Sequence, residues 1–537
     1  MQRAVTHYSL LTIHDSRFTI RNYPPFPIFI PMSNIRRQSI ISSAIVYFGF
    51  ALGFLNTYLF AREGGFTKEE YGLTGVFVAI ANLMFSLSSL GMQGYIYKFY
   101  PYYKDNVEPK ENDMMTWAFL VSFIGFIFIM AGGWIFKDLV IQKYGEKSPK
   151  LVEYYYWLFP FGGGLTIFSL LEAYTWHLRK SVLTNYLREV QFRLFTTILI
   201  VLSFVGVIKN FDLFIKIYAF TYLLLSAILG IYLLIANKIH FTFSISKVTK
   251  KFRKKIVTLA AFLWGGNLVF TLSSVFDSLV IAAVLPDGLK FAAIYTLAQN
   301  VASLVQAPQR GIISSSVSVL SKAWKDKDIK KINRIYHSSS INQIIFSIAM
   351  FLLIWLNFAD GVYTFKLQKD YIDAKHVFLF IGLMRIVDMG TGVNSQIIGT
   401  STYWRFDFIT GVILLLITLP LNYFLTKSSL GVAGPAVANL IAMIVYNFIR
   451  YSFLLKKFNM QPFTIRSLYP LVLGVLAYMV SYFLFSDKQG FGWIVLRSTV
   501  FLAVYIPGIV ALNVSPDIIP VWQTMLHKIG VRKNKSS

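Results

Sequence analysis

Apolar runs of about 20 residues recur along this whole chain, separated by short polar segments, and each is long enough to cross a bilayer as a helix. About fourteen are predicted: 39–61, 75–97, 115–136, 157–177, 189–208, 213–236, 256–285, 291–320, 340–358, 377–399, 408–425, 430–455, 468–485 and 493–513. The pattern therefore predicts an all-α polytopic membrane protein with little room for a soluble domain.

The polar segments divide the runs. Residues 237–255 hold Lys238, Lys247, Lys250, Lys251, Arg253, Lys254 and Lys255 and no acidic residue, which sets the first six helices apart from the next six. The expected organisation is an N-terminal extension at 1–33, a six-helix lobe at 34–245, a second at 246–459, helices thirteen and fourteen at 460–513, and a basic tail at 514–537. The extension contains Pro24, Pro25, Pro27 and Pro31 and is expected to be disordered; Met1 and Met32 are both candidate starts. No sustained apolar core follows a basic start, unlike a cleavable signal peptide.

Loops after even-numbered helices carry most of the Lys and Arg, including Lys322, Lys325, Lys327, Lys330, Lys331 and Arg334. Loops after odd-numbered helices carry few, with 137–150 as the exception. This asymmetry predicts both termini in the cytoplasm.

A weak repeat supports the division. Helix two reads AIANLMFSLSSLGMQGYIYK and helix eight reads TLAQNVASLVQAPQRGIISS. Each places an Asn (Asn82, Asn300) about three turns before a polar residue and Gly (Gln93-Gly94, Arg310-Gly311). Repeats of this kind mark transporters whose halves enclose a central site, making these four polar residues substrate-binding candidates.

Composition sharpens the class. The 537 residues are 55% hydrophobic and 14% charged, against about 25% charged in soluble domains. With no cysteine there is no disulfide and no thiolate metal site. The seven histidines show no metal-ligand spacing, so no metal site is expected. A net charge of +26 invites a nucleic-acid reading, but its placement in loops on one side fits a membrane protein, with membrane lipids as partners and no nucleic acid.

Ionisable residues inside apolar spans are the candidate chemistry, because a charge at bilayer depth costs roughly 2.5 to 3.5 kcal/mol on insertion scales. Asp277, Arg310 and Glu172 lack a partner at helical spacing, which favours a functional role; inter-helix salt bridges are the structural alternative. Arg193 lies four residues from Glu189, and Arg385 three from Asp388, so each has a local partner available. Arg450 and Arg497 fall near predicted helix ends, where they are expected to snorkel. Asp407 falls at a helix start, where the dipole favours it. A guanidinium in a cavity suits a phosphate, and a carboxylate beside it could carry a coupling proton or cation. The Gly162-Gly163-Gly164 run is expected to serve close helix packing.

With these features in hand, the chain resembles the polysaccharide/O-antigen (lipid-linked oligosaccharide) flippases of the multidrug/oligosaccharidyl-lipid/polysaccharide exporter superfamily. The resemblance rests on the helix order, on the Tyr295 to Arg310 stretch followed by Trp324-Lys325-Asp326, and on the segment from Gly392 to Arg405 followed by Gly431-Val432-Ala433-Gly434-Pro435-Ala436. It implies two six-helix lobes in a V-shaped transporter plus two C-terminal helices around a cationic cavity. It further implies a flippase moving polyprenyl-pyrophosphate-linked oligosaccharide across the bacterial inner membrane, for O-antigen, lipopolysaccharide or other surface polysaccharide biosynthesis. Alternating access coupled to a proton or sodium gradient, no cofactor, and association with glycan polymerase or assembly proteins are implied as well. Under this resemblance Arg310, with Arg385 and Arg193, contacts the pyrophosphate, while Asp277, Glu172 and Asp388 serve coupling or gating. The added helices favour a lipid-linked substrate. The alternatives are a drug/cation antiporter of the same superfamily or a membrane glycan polymerase or ligase; the short loops and lack of a nucleophile–base arrangement disfavour an enzyme.

Overall fold

The computed structural model describes residues 32–178, 180–485, 488–515 and 517. The fold is all-helical and carries no strand among the described residues. The first lobe comprises α1 (Met32–Ala61), α2 (Lys68–Ser88), α3 (Met92–Asn106), α4 (Met114–Ile135), α5 (Lys137–Tyr144), α6 (Pro149–Glu153), α7 (Leu158–His177), α8 (Ser181–Asn185), a π-helical turn (Tyr186–Gln191), α9 (Phe192–Phe204), α10 (Phe211–Ala219) and α11 (Thr221–Ile235). The second comprises α12 (Lys247–Val284), α13 (Gly288–Ala302), α14 (Gln309–Lys325), α15 (Ile329–Thr364), α16 (Ala374–Gly390), α17 (Asn394–Thr400), α18 (Trp404–Lys427) and α19 (Gly434–Phe458). A closing pair, α20 (Tyr469–Phe485) and α21 (Phe491–Ala511), follows. The extension expected at 1–33 lies outside the described residues up to Pro31, as does all of the tail except Val514, Ser515 and Asp517.

Among the described residues nine helices are long and apolar enough to cross a membrane, or ten if α16 and α17, bent by 48°, form one span. The expected count of about fourteen needs four further passes. These are α1, whose apolar part is Ile45–Ala61, together with α7, the interrupted α8–α9 segment and the α13–α14 pair.

Several expected continuous helices are broken. Helix two ends at Ser88 and restarts at Met92, because Leu90 and Gly91 adopt left-handed φ values of 43° and 77°. A Cβ at Gly91 would lie 2.0 Å from the carbonyl oxygen of Ala260, so α12 packs there only against glycine. Helix eight breaks between Ala302 and Gln309, where Pro308 has no N–H to continue a helical ladder. The two breaks precede Gln93 and Arg310, the positions matched by the repeat. The span expected at 377–399 breaks at Gly392, with φ 62°. The basic stretch expected as a loop is helical from Lys247, where Ser246 caps α12 through Thr249 N at 3.2 Å. The 137–150 loop likewise contains α5 and the start of α6.

Small residues set the helix packing as expected. A Cβ on Gly162 would lie 2.5 Å from Met84 Sδ, and one on Gly164 2.5 Å from Leu223 N. α12 runs beside α2 and α3, and α13 beside α2 and α16, so α2, α12 and α13 join the lobes. At one end that joint is sealed by backbone. Arg62 and Leu367 form an antiparallel bridge, with Glu63 N donating to Lys366 O and Gln368 N to Ala61 O. Gly288 N donates to Lys147 O at 2.7 Å and Ser148 Oγ to Ala282 O at 2.7 Å. Charge pairs join the same end: Lys68 with Asp370, and Lys290 with Glu69 at 3.6 Å. The basic turns of α12 lie at the opposite end.

Candidate functional site

Between the lobes lies a polar cavity of about 560 Å³. The first lobe contributes Asn56, Asn82 and Arg193, and the second Ser274, Gln299 and Asn300. Ser274 and Gln299 also line a second cavity, of about 600 Å³, inside the second lobe, with Asp277, Arg385, Asp407 and Arg450. Ser274 and Gln299 lie on both, so the two cavities adjoin, and together they are called the lumen.

Both carboxylate oxygens of Asp277 are hydrogen-bonded in it. The residue is buried, on the lumen side of α12. Its Oδ2 accepts from Tyr295 OH at 2.6 Å and Asn439 Nδ2 at 2.7 Å, and its Oδ1 from Asn422 Nδ2 at 2.8 Å. Three neutral donors from α13, α18 and α19 thus converge on one carboxylate. They compensate the lost hydration with charge-assisted bonds, each worth about 1.5 to 3 kcal/mol.

The other candidates fall into separate groups. Glu172 is buried in α7 and pairs with Arg188 of the π-helical turn, which is the inter-helix salt bridge of the structural alternative. Arg193 bonds Glu189 Oε2 at 2.6 Å, the expected i,i+4 pair, while also lining the inter-lobe cavity. Asn300 donates to Thr57 Oγ1 at 3.0 Å and Tyr71 OH at 3.2 Å, across the lobe junction. Asn82 donates to Val78 O at 2.7 Å on its own helix. Asp388 accepts from Gln309 Nε2 at 2.8 Å. Gln93 sits apart, in a cavity of about 480 Å³ along α3 and α12. The Arg310 side chain lies outside the described residues; its backbone is in the first turn of α14.

Two expectations are corrected. Arg450 does not snorkel: it is buried, pairs with Asp407, donates to Thr410 Oγ1 at 3.1 Å and lies 3.8 Å from the Tyr446 ring centroid. Arg497 is also buried; it pairs with Asp360 of α15 and donates to Lys488 O at 3.1 Å. Both sit near helix ends by sequence, but neighbouring helices cover them and a carboxylate partner holds each. Asp407 does occupy the first turn of its helix, as expected, and adds the Arg450 pair.

Sequence reasoning attended to charges inside the predicted spans and so passed over the roles of Tyr295, Asn422 and Asn439, and of Arg188, which lies one residue before the span expected at 189–208. Asn422 and Asn439 had a usable signal, since an amide within an apolar span needs a partner as a charge does.

No family model and no curated protein matches the sequence. Solved structures do match in fold. The lipid II flippase MurJ, in an inward closed conformation, superposes with a TM-score of 0.69 at 17% identity, over 89% of this chain and 100% of that one. A MATE transporter in complex with MaD3S gives 0.51 at 15% identity, over 79% and 96%. A MOP superfamily transporter from Pyrococcus furiosus gives 0.51 at 16% identity, over 79% and 96%. The chain is a multi-pass helical membrane protein with the fold shared by the lipid II flippase MurJ and MATE transporters.

Proposed function

We propose that this protein is a flippase that moves a polyprenyl-pyrophosphate-linked oligosaccharide across the bacterial inner membrane for surface polysaccharide biosynthesis, by alternating access. The likeness to a lipid II flippase over that protein's full length carries the reading. Its coverage exceeds that of the MATE transporters by about a tenth of this chain, which is about the length of residues 460–513. A pair of extra helices suits a substrate with a long apolar tail.

The lumen supplies chemistry for the polar end. Arg193 from one lobe and Arg385 from the other line the two adjoining cavities, and guanidinium groups grip phosphate oxygens bidentately. Arg310 is assigned the same role. Asn82, Asn300 and Gln299 offer amides to sugar hydroxyls. Asp277 is the coupling group: its carboxylate takes up a proton, or holds a hard cation such as sodium once the Asn422 and Asn439 amides turn their oxygens toward it in place of the N–H groups they now present. Occupancy by either weakens the pull on Asn422 and Asn439, loosening α18 and α19 against α12. Glu172 and Asp388 hold Arg188 and Gln309 in one arrangement and are assigned to gating.

A strain lacking the protein tests this reading. Lipid-linked sugars are expected to accumulate in the cytoplasmic leaflet and surface glycan to disappear. Unchanged lipid intermediates with increased drug sensitivity would instead make it a drug exporter.

A further inference from the structure

We infer that the outer face of the first lobe carries a site for one anionic phospholipid, separate from the lumen. An apolar groove of about 640 Å³ runs along α4 between Thr116 and Met130, floored by Phe159 and walled by Phe123, Phe241 and Phe243. Thr116 to Met130 spans about 21 Å of helix, more than the roughly 15 Å of hydrocarbon in one leaflet.

The mouth of the groove is fixed by the chain that follows α11. Thr242 N donates to Thr116 Oγ1 at 3.1 Å, which lays residues 241–243 across the first turn of α4. Phe241 packs on Phe119 at 5.8 Å between centroids, yet 54% of Phe241 and 82% of Phe243 remain exposed. Four residues beyond Phe243, α12 begins with Lys247, and Lys250, Lys251, Arg253, Lys254 and Lys255 follow, all exposed. Four residues of chain reach at most about 14 Å, so the first lysines stand beside the groove mouth. None of the six forms an ion pair among the described residues. Of the carboxylates nearby, Asp113 is buried, with its Oδ2 committed to Ser246 N at 3.0 Å and Thr249 Oγ1 at 2.8 Å, while Asp105, Glu108 and Glu111 are exposed and make no ion pair with these side chains among the described residues.

Either feature alone has a plain explanation. A basic helix start is usually a solvated face, and an apolar groove on a membrane protein touches bulk lipid tails. Their shared edge at 241–247 puts a tail-sized channel beside a cluster of exposed basic side chains that make no ion pair among the described residues, and that combination selects an anionic phospholipid. The lipid would brace α4 against the chain leading into α12, the link between the lobes.

Native mass spectrometry of the full-length protein, purified free of phospholipid and mixed with phosphatidylglycerol or phosphatidylcholine, tests the site. Phosphatidylglycerol is expected to be retained about tenfold more strongly, the scale of one or two lysine–headgroup contacts. Leu120→Trp, which fills the groove from an exposed position, should remove phosphatidylglycerol retention. Lys247→Gln combined with Lys250→Gln and Lys251→Gln should equalise the two lipids. Equal retention by the unaltered protein, or full retention by Leu120→Trp, overturns the proposal. Displacement of bound phosphatidylglycerol by equimolar undecaprenyl phosphate would also overturn it, assigning the groove to a prenyl tail.

Discussion

At the scale of single residues, the lumen separates groups held by neutral donors from groups held by opposite charge. Asp277 belongs to the first kind, with three donors and no cation within its hydrogen-bonded shell. Asp277→Asn keeps the shape but turns an acceptor into a partial donor facing Tyr295, Asn422 and Asn439. Transport is expected to fall at least about tenfold, the effect of losing one good charge-assisted bond, and its pH or sodium dependence to vanish. Unchanged transport and unchanged ion dependence would remove Asp277 from the coupling scheme. Arg193→Ala and Arg385→Ala should each weaken binding of a lipid pyrophosphate by about 1.5 to 3 kcal/mol, measured by titration in detergent. The pairings were unevenly legible in the sequence. Glu189 and Arg193 could be paired on spacing alone, since both lie on one helical face. The partners of Asp277, Glu172 and Arg497 come from other helices, and partner choice across helices is decided by packing that no spacing rule encodes.

At the scale of elements, the nine or ten spans that are long and apolar enough among the described residues were legible as apolar runs, whereas the interruptions were not. Hydropathy averages over a break of three to six residues, so helices two and eight looked continuous. Gly91 and Pro308 carried local signals that the averaging outweighed. Gly91→Ala should therefore be costly: the backbone is left-handed there, and the added methyl meets Ala260 O at 2.0 Å. A loss of at least about 1 to 3 kcal/mol is expected, read as a lower unfolding temperature in detergent. The closing pair of helices offers a second test. Buried Arg497 and Asp360 tie α21 to α15, and removing one member of a buried pair costs about 3 to 5 kcal/mol. Arg497→Met alone should destabilise the protein, while Arg497→Met with Asp360→Leu should recover most of the loss. Equal damage from the single and double variants would show that the pair does not hold this joint.

At the scale of the whole molecule, one end is sealed by main chain and the lumen sits between two lobes. The bridge between Arg62 and Leu367 is the non-hydrogen-bonded kind, with Glu63 N to Lys366 O and Gln368 N to Ala61 O on either side, the geometry that brings side chains closest. The chain contains no cysteine, so Arg62→Cys with Leu367→Cys introduces a single addressable disulfide. Oxidation should stop transport and reduction restore it; undiminished transport by the oxidised protein would show that this end need not open. The basic segment after helix six and the repeat between helices two and eight are what suggest a two-lobe plan in the sequence, but the seal was invisible, since it is made by backbone groups common to every residue. The central claim, movement of a lipid-linked sugar, is tested most directly in vesicles. The purified protein would be reconstituted with a fluorescent polyprenyl-pyrophosphate oligosaccharide, and a membrane-impermeant quencher added outside. The account predicts that the protected inner-leaflet fraction becomes quenchable when an ion gradient is imposed, and that Asp277→Asn vesicles do not respond. An inner-leaflet fraction that stays protected, in vesicles that do transport a small cationic drug, would contradict it.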